Sequence, residues 1–127
     1  MAGRVYPALR YRDARQAISW LQEAFGLVPG EIVANDDGTI AHAELFHGDG
    51  AVLIGTARSV YPWDVPAGYG NTYVVIEDVD AHAARARAAG AEILYGPEDT
   101  DYGSREYGAK DVEGNVWSFG TYVPRTP

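Results

Sequence analysis

Apolar and polar positions alternate in the opening run RVYPALRY. Val5, Leu9 and Tyr11 share one side and Tyr6, Ala8 and Arg10 the other, which predicts a short strand using both faces. The period then changes. Ala14, Ala17, Ile18, Leu21 and Phe25 recur at helical spacing, Asp13 stands at the N-cap position, and Gly26 stands where a left-handed residue ends a helix. Three further strands are predicted around 31–34, 39–46 and 51–56, joined by NDDG and HGDG, sequences suited to tight hairpins. The first half reads β-α-β-β-β.

Residues 57–70, ARSVYPWDVPAGYG, contain two prolines and no period of either kind, so they read as a linker. The pattern restarts at NTYVVIEDVD, a β-branched strand running into a capping aspartate. A helix over 79–89 stopped by Gly90, a strand AEILY, and a hairpin of 104–110 with 115–122 joined by DVEG complete a second β-α-β-β-β unit. The two halves agree in register. Tyr6 precedes Asp13 by seven positions, as Asn71 precedes Asp78, while Ile54 follows Gly50 by four, as Ser118 follows Gly114. The chain is an internal duplication. It is expected to form one α+β domain over 1–127, with a first module at about 4–56, a linker at 57–70 and a second module at about 71–123.

Composition narrows the function. A chain of 127 residues, 46% hydrophobic and 22% charged, can bury a core of its own. It has no cysteine, which excludes disulfides, thiolate metal sites and a cysteine nucleophile. No run of signal-peptide or membrane-spanning length occurs, and a cytoplasmic location is expected. The net charge of −8 would repel phosphate backbones and anionic lipid, so neither nucleic acid nor membrane is an expected partner. The same field mildly favours a cationic ligand.

The tandem modules, their helix ends at Gly26 and Gly90, and the stretches LRYRDARQAISWLQEAFGL, YVVIEDVDAHAARARAAGAEI and DYGSREYGAKDVEGNVWSFGTY resemble the vicinal oxygen chelate superfamily of glyoxalases, bleomycin-resistance proteins and extradiol dioxygenases. The resemblance implies that each module curls a mixed sheet around a cavity with its helix on the convex side, and that a homodimer completes the cavities. It also implies a divalent metal held by four His or Glu side chains from the first and last strands of each module. The matching positions are Tyr6, Ile54, Asn71 and Ser118, which offer neither imidazole nor carboxylate, so neither a metal nor another cofactor is expected.

Two functions follow from the resemblance. One is a metal-independent small-molecule binder of the bleomycin-resistance type, sequestering a drug and so conferring antibiotic resistance. The other is a glyoxalase-like lyase or isomerase with a displaced or atypical site. Tyr6, Ile54, Asn71 and Ser118, joined through alternation by Ala8, Arg10, Tyr73 and Val75, are expected to line the cavity and hold a cationic or aromatic ligand. His42 and Glu44, two apart on a strand, share one face. There they form a displaced metal pair or a base with its orienting carboxylate if that face lines the cavity, and a polar ladder if it faces solvent. Arg105 either grips a ligand carboxylate or pairs with Glu44 or Glu106. Tyr61, Trp63 and Tyr69 form an aromatic wall or cover a dimer seam. His47 and His82 are expected on the surface, and Trp117 and Phe119 in the core.

Overall fold

The computed structural model describes residues 3–127. It contains two β-α-β-β-β modules in tandem. In the first, β1 (Ala8–Tyr11), α1 (Ala14–Phe25), β2 (Val28–Ala34), β3 (Ile40–His47) and β4 (Gly50–Thr56) form a mixed sheet of order β1-β4-β3-β2. In the second, β5 (Asn71–Val75), α2 (Val79–Ala88), β6 (Glu92–Asp99), β7 (Arg105–Lys110) and β8 (Val116–Gly120) repeat that order as β5-β8-β7-β6. In both, the first strand runs parallel to the last and every other pair is antiparallel. Neither sheet closes. Among the described residues no helix is long and apolar enough to cross a membrane.

The helix ends form as the sequence dictates. Asp13 accepts from the backbone N–H of Gln16, and Gly26 takes a φ of 72°, left-handed backbone that a Cβ would oppose. Asp78 caps α2 in the same way through the N–H of Ala81. Arg85 of α2 reaches across to the end of α1 and donates to the carbonyl oxygens of Glu23 and Gln22, placing a cation on the negative end of that helix.

Each sheet buries one face. Leu9, Tyr11, Ala43, Leu45, Val52 and Ile54 of the first, and Tyr107, Ala109, Trp117 and Phe119 of the second, join the inner residues of α1 and α2 in one continuous core. Phe25, the last residue of α1, links the halves, its ring 4.7 Å from Phe119 and 5.2 Å from Trp117. Trp117 and Phe119 are fully buried, as their alternation about Ser118 requires.

The structure differs from the sequence reading in four places. The second strand starts at Val28, three residues ahead of the predicted 31–34. The first strand begins only at Ala8, because Pro7 has no N–H to enter a ladder, and Tyr6 stays outside it. The sixth strand runs past AEILY to Asp99, with irregular pairing on either side of Tyr95. The Gly50-to-Ile54 register fails because the turns differ in length. Phe46 pairs with Ala51 across four residues, whereas its counterpart Lys110 pairs with Val116 across five. Leu53, opposite Ala8, is therefore the counterpart of Ser118, opposite Tyr73. Ile54 points into the core at 2% exposure rather than towards a ligand.

Candidate functional site

The faces opposite the helices are open, and alternation fixes what stands on them. In the second sheet, Tyr107, Ala109, Trp117 and Phe119 point inward, so Glu106, Gly108, Lys110, Val116, Ser118 and Gly120 point outward. Register then assembles two rows. Tyr73, Ser118, Gly108 and Tyr95 lie side by side across β5, β8, β7 and β6, and Val75, Gly120, Glu106 and Glu98 form the next row. The glycines are the floor. A Cβ on Gly108 would collide with the Tyr95 ring, and one on Gly120 would lie 2.9 Å from the Tyr73 hydroxyl and 2.6 Å from Glu106 Cγ.

Glu106 is the centre of this face. Its Oε2 accepts from the Tyr102 hydroxyl at 2.6 Å and from Ser104 Oγ at 3.2 Å. Tyr73 donates to the Tyr122 carbonyl at 2.7 Å, and the Tyr102 and Tyr122 rings meet edge-on with centroids 5.8 Å apart. The hydrogen bond to the Glu106 carboxylate pushes the Tyr102 phenol up to about 12. Desolvation, followed by the Glu106 charge, raises Tyr73 and Tyr95 as well. The ion pairs among the described residues include neither Glu106 nor Glu98, two carboxylates placed directly opposite each other. Four tyrosines around unneutralised negative charge make a surface suited to a flat or cationic group.

The open face of the first sheet carries Ala8, Arg10, His42, Glu44, Phe46, Leu53 and Gly55, the positions that alternate with its buried ones. His42 and Glu44 therefore share the open side. His42 Nε2 and Glu44 Oε2 are 3.0 Å apart and both side chains are half-exposed.

Several nominated residues stand elsewhere. Arg105 lies on the helix side of its strand and pairs with Asp80 and Asp99 at 2.9 and 3.1 Å, not with Glu44 or Glu106, so it does not reach the open face. Tyr61 and Trp63 stack on each other at 4.8 Å and 3° in the linker, Trp63 71% exposed, while Tyr69 lies against a separate hollow beside Arg12 and Arg58. None of the three touches the tyrosine rows. Tyr6 and Asn71 are exposed at the rim, ahead of Ala8 and Tyr73. His82 is half-buried rather than fully on the surface. The Tyr107 hydroxyl lies 2.6 Å from its Nδ1, its Nε2 donates to the Phe25 carbonyl at 3.0 Å, and desolvation lowers its pKa. Its role is to join α2 to the end of α1.

The positions that would hold a metal are Tyr6, Leu53, Asn71 and Ser118 once the register is corrected. A phenol, a hydrocarbon, an amide and a hydroxyl lack the charge and basicity to offset dehydration of a divalent ion, so these residues do not fit one. Among the described residues no three His, Cys, Asp or Glu side chains gather elsewhere to replace them. A further, mostly apolar hollow reaches Tyr73 and Val75 at the edge of the second sheet. It occupies about 320 Å3 at the seam between the modules, against Val52, Val74 and Trp117.

Sequence reasoning nominated Tyr73 and Ser118 but not Tyr95, Glu98, Tyr102 or Tyr122, and it considered Glu106 only as a partner for Arg105. Alternation around Tyr107 was a usable signal for Glu106. The irregular pairing of β6 hid Tyr95 and Glu98.

The comparisons with known proteins agree with this architecture. A model of the Glyoxalase/Bleomycin resistance protein/Dioxygenase superfamily matches residues 3–119. The Mycobacterium bovis protein Mb0911c is 30% identical over 124 residues, covering 92% of this chain and 82% of its own. The crystal structure of TioX from Micromonospora sp. ML1 superposes with a TM-score of 0.80 at 31% identity, covering 96% of this chain and all of that one. TnmS3, described as an antibiotic binding protein from Streptomyces sp. CB03234, superposes at 0.71 with 21% identity, covering 94% of this chain and 96% of its own.

Proposed function

The chain belongs to the glyoxalase/bleomycin resistance protein/dioxygenase superfamily, and on that footing we propose that it is a metal-independent small-molecule binding protein that holds a flat aromatic or cationic ligand on the open face of its second sheet. The observation that carries this reading is the row Tyr73, Ser118, Gly108 and Tyr95 beside Glu106: two rings stand over a glycine floor with a carboxylate next to them. Such a face binds by area, quadrupole and charge, and it contains no activated nucleophile. The antibiotic binding stated for TnmS3 supports a drug-like ligand, sequestered rather than transformed.

A homodimer completes the site in this proposal. The second strand is exposed along its whole length, with Val28, Ile32 and Val33 unprotected, and the open faces carry Phe46, Tyr73 and Tyr95 partly in solvent. A second copy would cover this apolar surface. Sedimentation giving a monomer at micromolar concentration would overturn the dimer.

The binding reading is tested by a thermal-shift screen of planar aromatic antibiotics and cationic glycopeptides, followed by calorimetry on the best ligand. Tyr95→Ala and Tyr73→Ala should each weaken it about tenfold. Unchanged binding in both variants would refute the placement.

One observation favours a second reading. The His42–Glu44 pair, 3.0 Å apart on the open face of the first sheet, has the geometry of a base with its orienting carboxylate. A glyoxalase-like lyase or isomerase would need that pair, so turnover of an α-oxo thiohemiacetal that is lost in His42→Ala would replace the binding proposal.

A further inference from the structure

Arg10 stands on the open face of the first sheet, half-buried, in the cross-strand row of Gly55. Its side chain lies across that glycine: a Cβ there would overlap Arg10 Nη1, so any larger residue would evict the guanidinium. Arg12, Arg58 and Arg105 all face carboxylates, and Arg15 and Arg85 donate to carbonyl oxygens. Arg10 donates to no group among the described residues. Arg4, Arg87 and Arg125, which also form no such contact there, stand in water. Arg10 has instead given up part of its hydration to lie on the sheet with its planar set of N–H donors unused.

The surroundings form a receptacle. Arg10 lines a polar hollow of about 320 Å3 with Asn35, Asp37, Thr39, Thr56 and Arg58. The floor is an interruption in the sheet. Ala34 pairs with Ile40 and Val33 with His42, so Ala41 is an extra residue with no partner on β2, and the β3–β4 pairing begins only at Ala43. Asp37 is the one acid against the hollow. Its Oδ1 accepts from both the N–H and the hydroxyl of Thr39, which hold it below its ordinary pKa, so that oxygen is already engaged away from Arg10. On the same open face the His42 imidazole, oriented by Glu44, stands one residue beyond Ala41.

We propose that Arg10 is a receptor for a planar carboxylate, carried by a small ligand that enters this hollow and is held by two parallel N–H···O bonds. A guanidinium matches a carboxylate in spacing and plane, and partial burial strengthens the charge-assisted bonds. Gly55 sets the position of the fork, and the broken ladder at Ala41 leaves room above it. This site is independent of the tyrosine face of the second sheet and opposite to it in charge.

The test uses benzoate and its neutral isostere benzamide, titrated into the protein while amide resonances are followed by NMR at constant chloride. Benzoate should shift the resonances of Arg10, Ala41 and Gly55 saturably and benzamide should not. Arg10→Gln should weaken benzoate about tenfold or more, with Arg10→Lys between it and the parent, because an ammonium keeps the charge but loses the fork. Gly55→Ala, confirmed folded by circular dichroism, should lose benzoate although Arg10 is intact. A ligand of the tyrosine face should bind Arg10→Gln normally, so loss of one site leaves the other intact. The proposal is overturned if benzoate gives no saturable shift at Arg10, Ala41 and Gly55, if benzamide shifts those same resonances as strongly, or if Arg10→Gln binds benzoate like the parent.

Discussion

The hydroxyl of Tyr11 donates to Asp111 Oδ2 at 2.6 Å, joining the last residue of β1 to a turn of the second module a hundred positions later. Both residues are buried. The same carboxylate accepts from Trp117 Nε1 at 3.0 Å and from the backbone N–H groups of Glu113 and Asn115, so one acid organises the turn, the largest core side chain and the contact between modules. Glu113, beside it, accepts from the backbone N–H groups of Arg12 and Asp13 at the start of α1.

Removing the two partners of this contact should have unequal effects. Tyr11→Phe deletes one hydrogen bond, leaves Asp111 three other donors, and should cost about 1–2 kcal/mol. Asp111→Ala strands the Tyr11 hydroxyl, the Trp117 N–H and two backbone N–H groups together, and should cost about 3 kcal/mol or more. Urea unfolding of both variants measures the difference, and equal losses would contradict the shared role of the carboxylate.

The tyrosines make stability fall in alkali. Desolvation, reinforced by the Asp111 charge, holds Tyr11 far above the ordinary phenol value, desolvation raises Tyr107, and the bond to Glu106 brings Tyr102 to about 12. Each folded-state pKa exceeds its unfolded one, so the native state binds more protons over this interval. The stabilisation is complete below about pH 10 and is lost as pH rises beyond it. Chemical denaturation at pH 8, 10 and 11 should show a monotonic decline.

Spectrophotometric titration isolates Tyr102. In Glu106→Gln the phenol loses its carboxylate acceptor, and its ionisation should move from about 12 towards the ordinary value of 10.0. An unchanged titration would mean that Glu106 does not hold that hydroxyl in solution.

The linker has its own fastening. Asp64 accepts from the N–H groups of Tyr61 and Val60 and from Arg58 Nε, contacts that hold its carboxyl down to about 2. Its folded pKa lies below the unfolded one, so this stabilisation is present above about pH 4 and is lost as pH falls through about 2. Asp64→Ala should release the stacked Tyr61 and Trp63 at neutral pH, seen as a shift of the Trp63 indole N–H resonance towards its random-coil position. The Trp20 and Trp117 resonances should hold still.

Gly108 tests the floor of the tyrosine face. Gly108→Val places a side chain where the Tyr95 ring lies and should turn that ring outward. Affinity for a ligand found in the antibiotic screen should drop about tenfold or more, with a small loss of stability, because the residue sits on the open face. Calorimetry together with thermal unfolding checks both.

Local chemistry wrote much of this molecule into its sequence. Asp13 and Asp78 cap their helices and Gly26 ends the first, because a carboxylate one step ahead of a helix and a residue free to adopt positive φ act within a single turn of chain. Duplication was legible for the same reason: each module repeats its own hydrophobic period, and Trp117 and Phe119 could be placed in the core from alternation about Ser118 alone. What lay beyond reach depended on counting across turns and on groups distant in the chain. Five residues between Lys110 and Val116 against four between Phe46 and Ala51 move one strand by a residue relative to its counterpart, and with a period of two that single step sends Ile54 inward and Leu53 outward. Arg105 found Asp80 because the packing of α2 beside β7 brings that carboxylate to the helix side of the sheet, and Asp99 because the β6–β7 register sets it directly opposite. The Glu106 face likewise exists only because three separate pairings align Tyr73, Ser118, Gly108 and Tyr95, a relation that no short stretch of sequence contains.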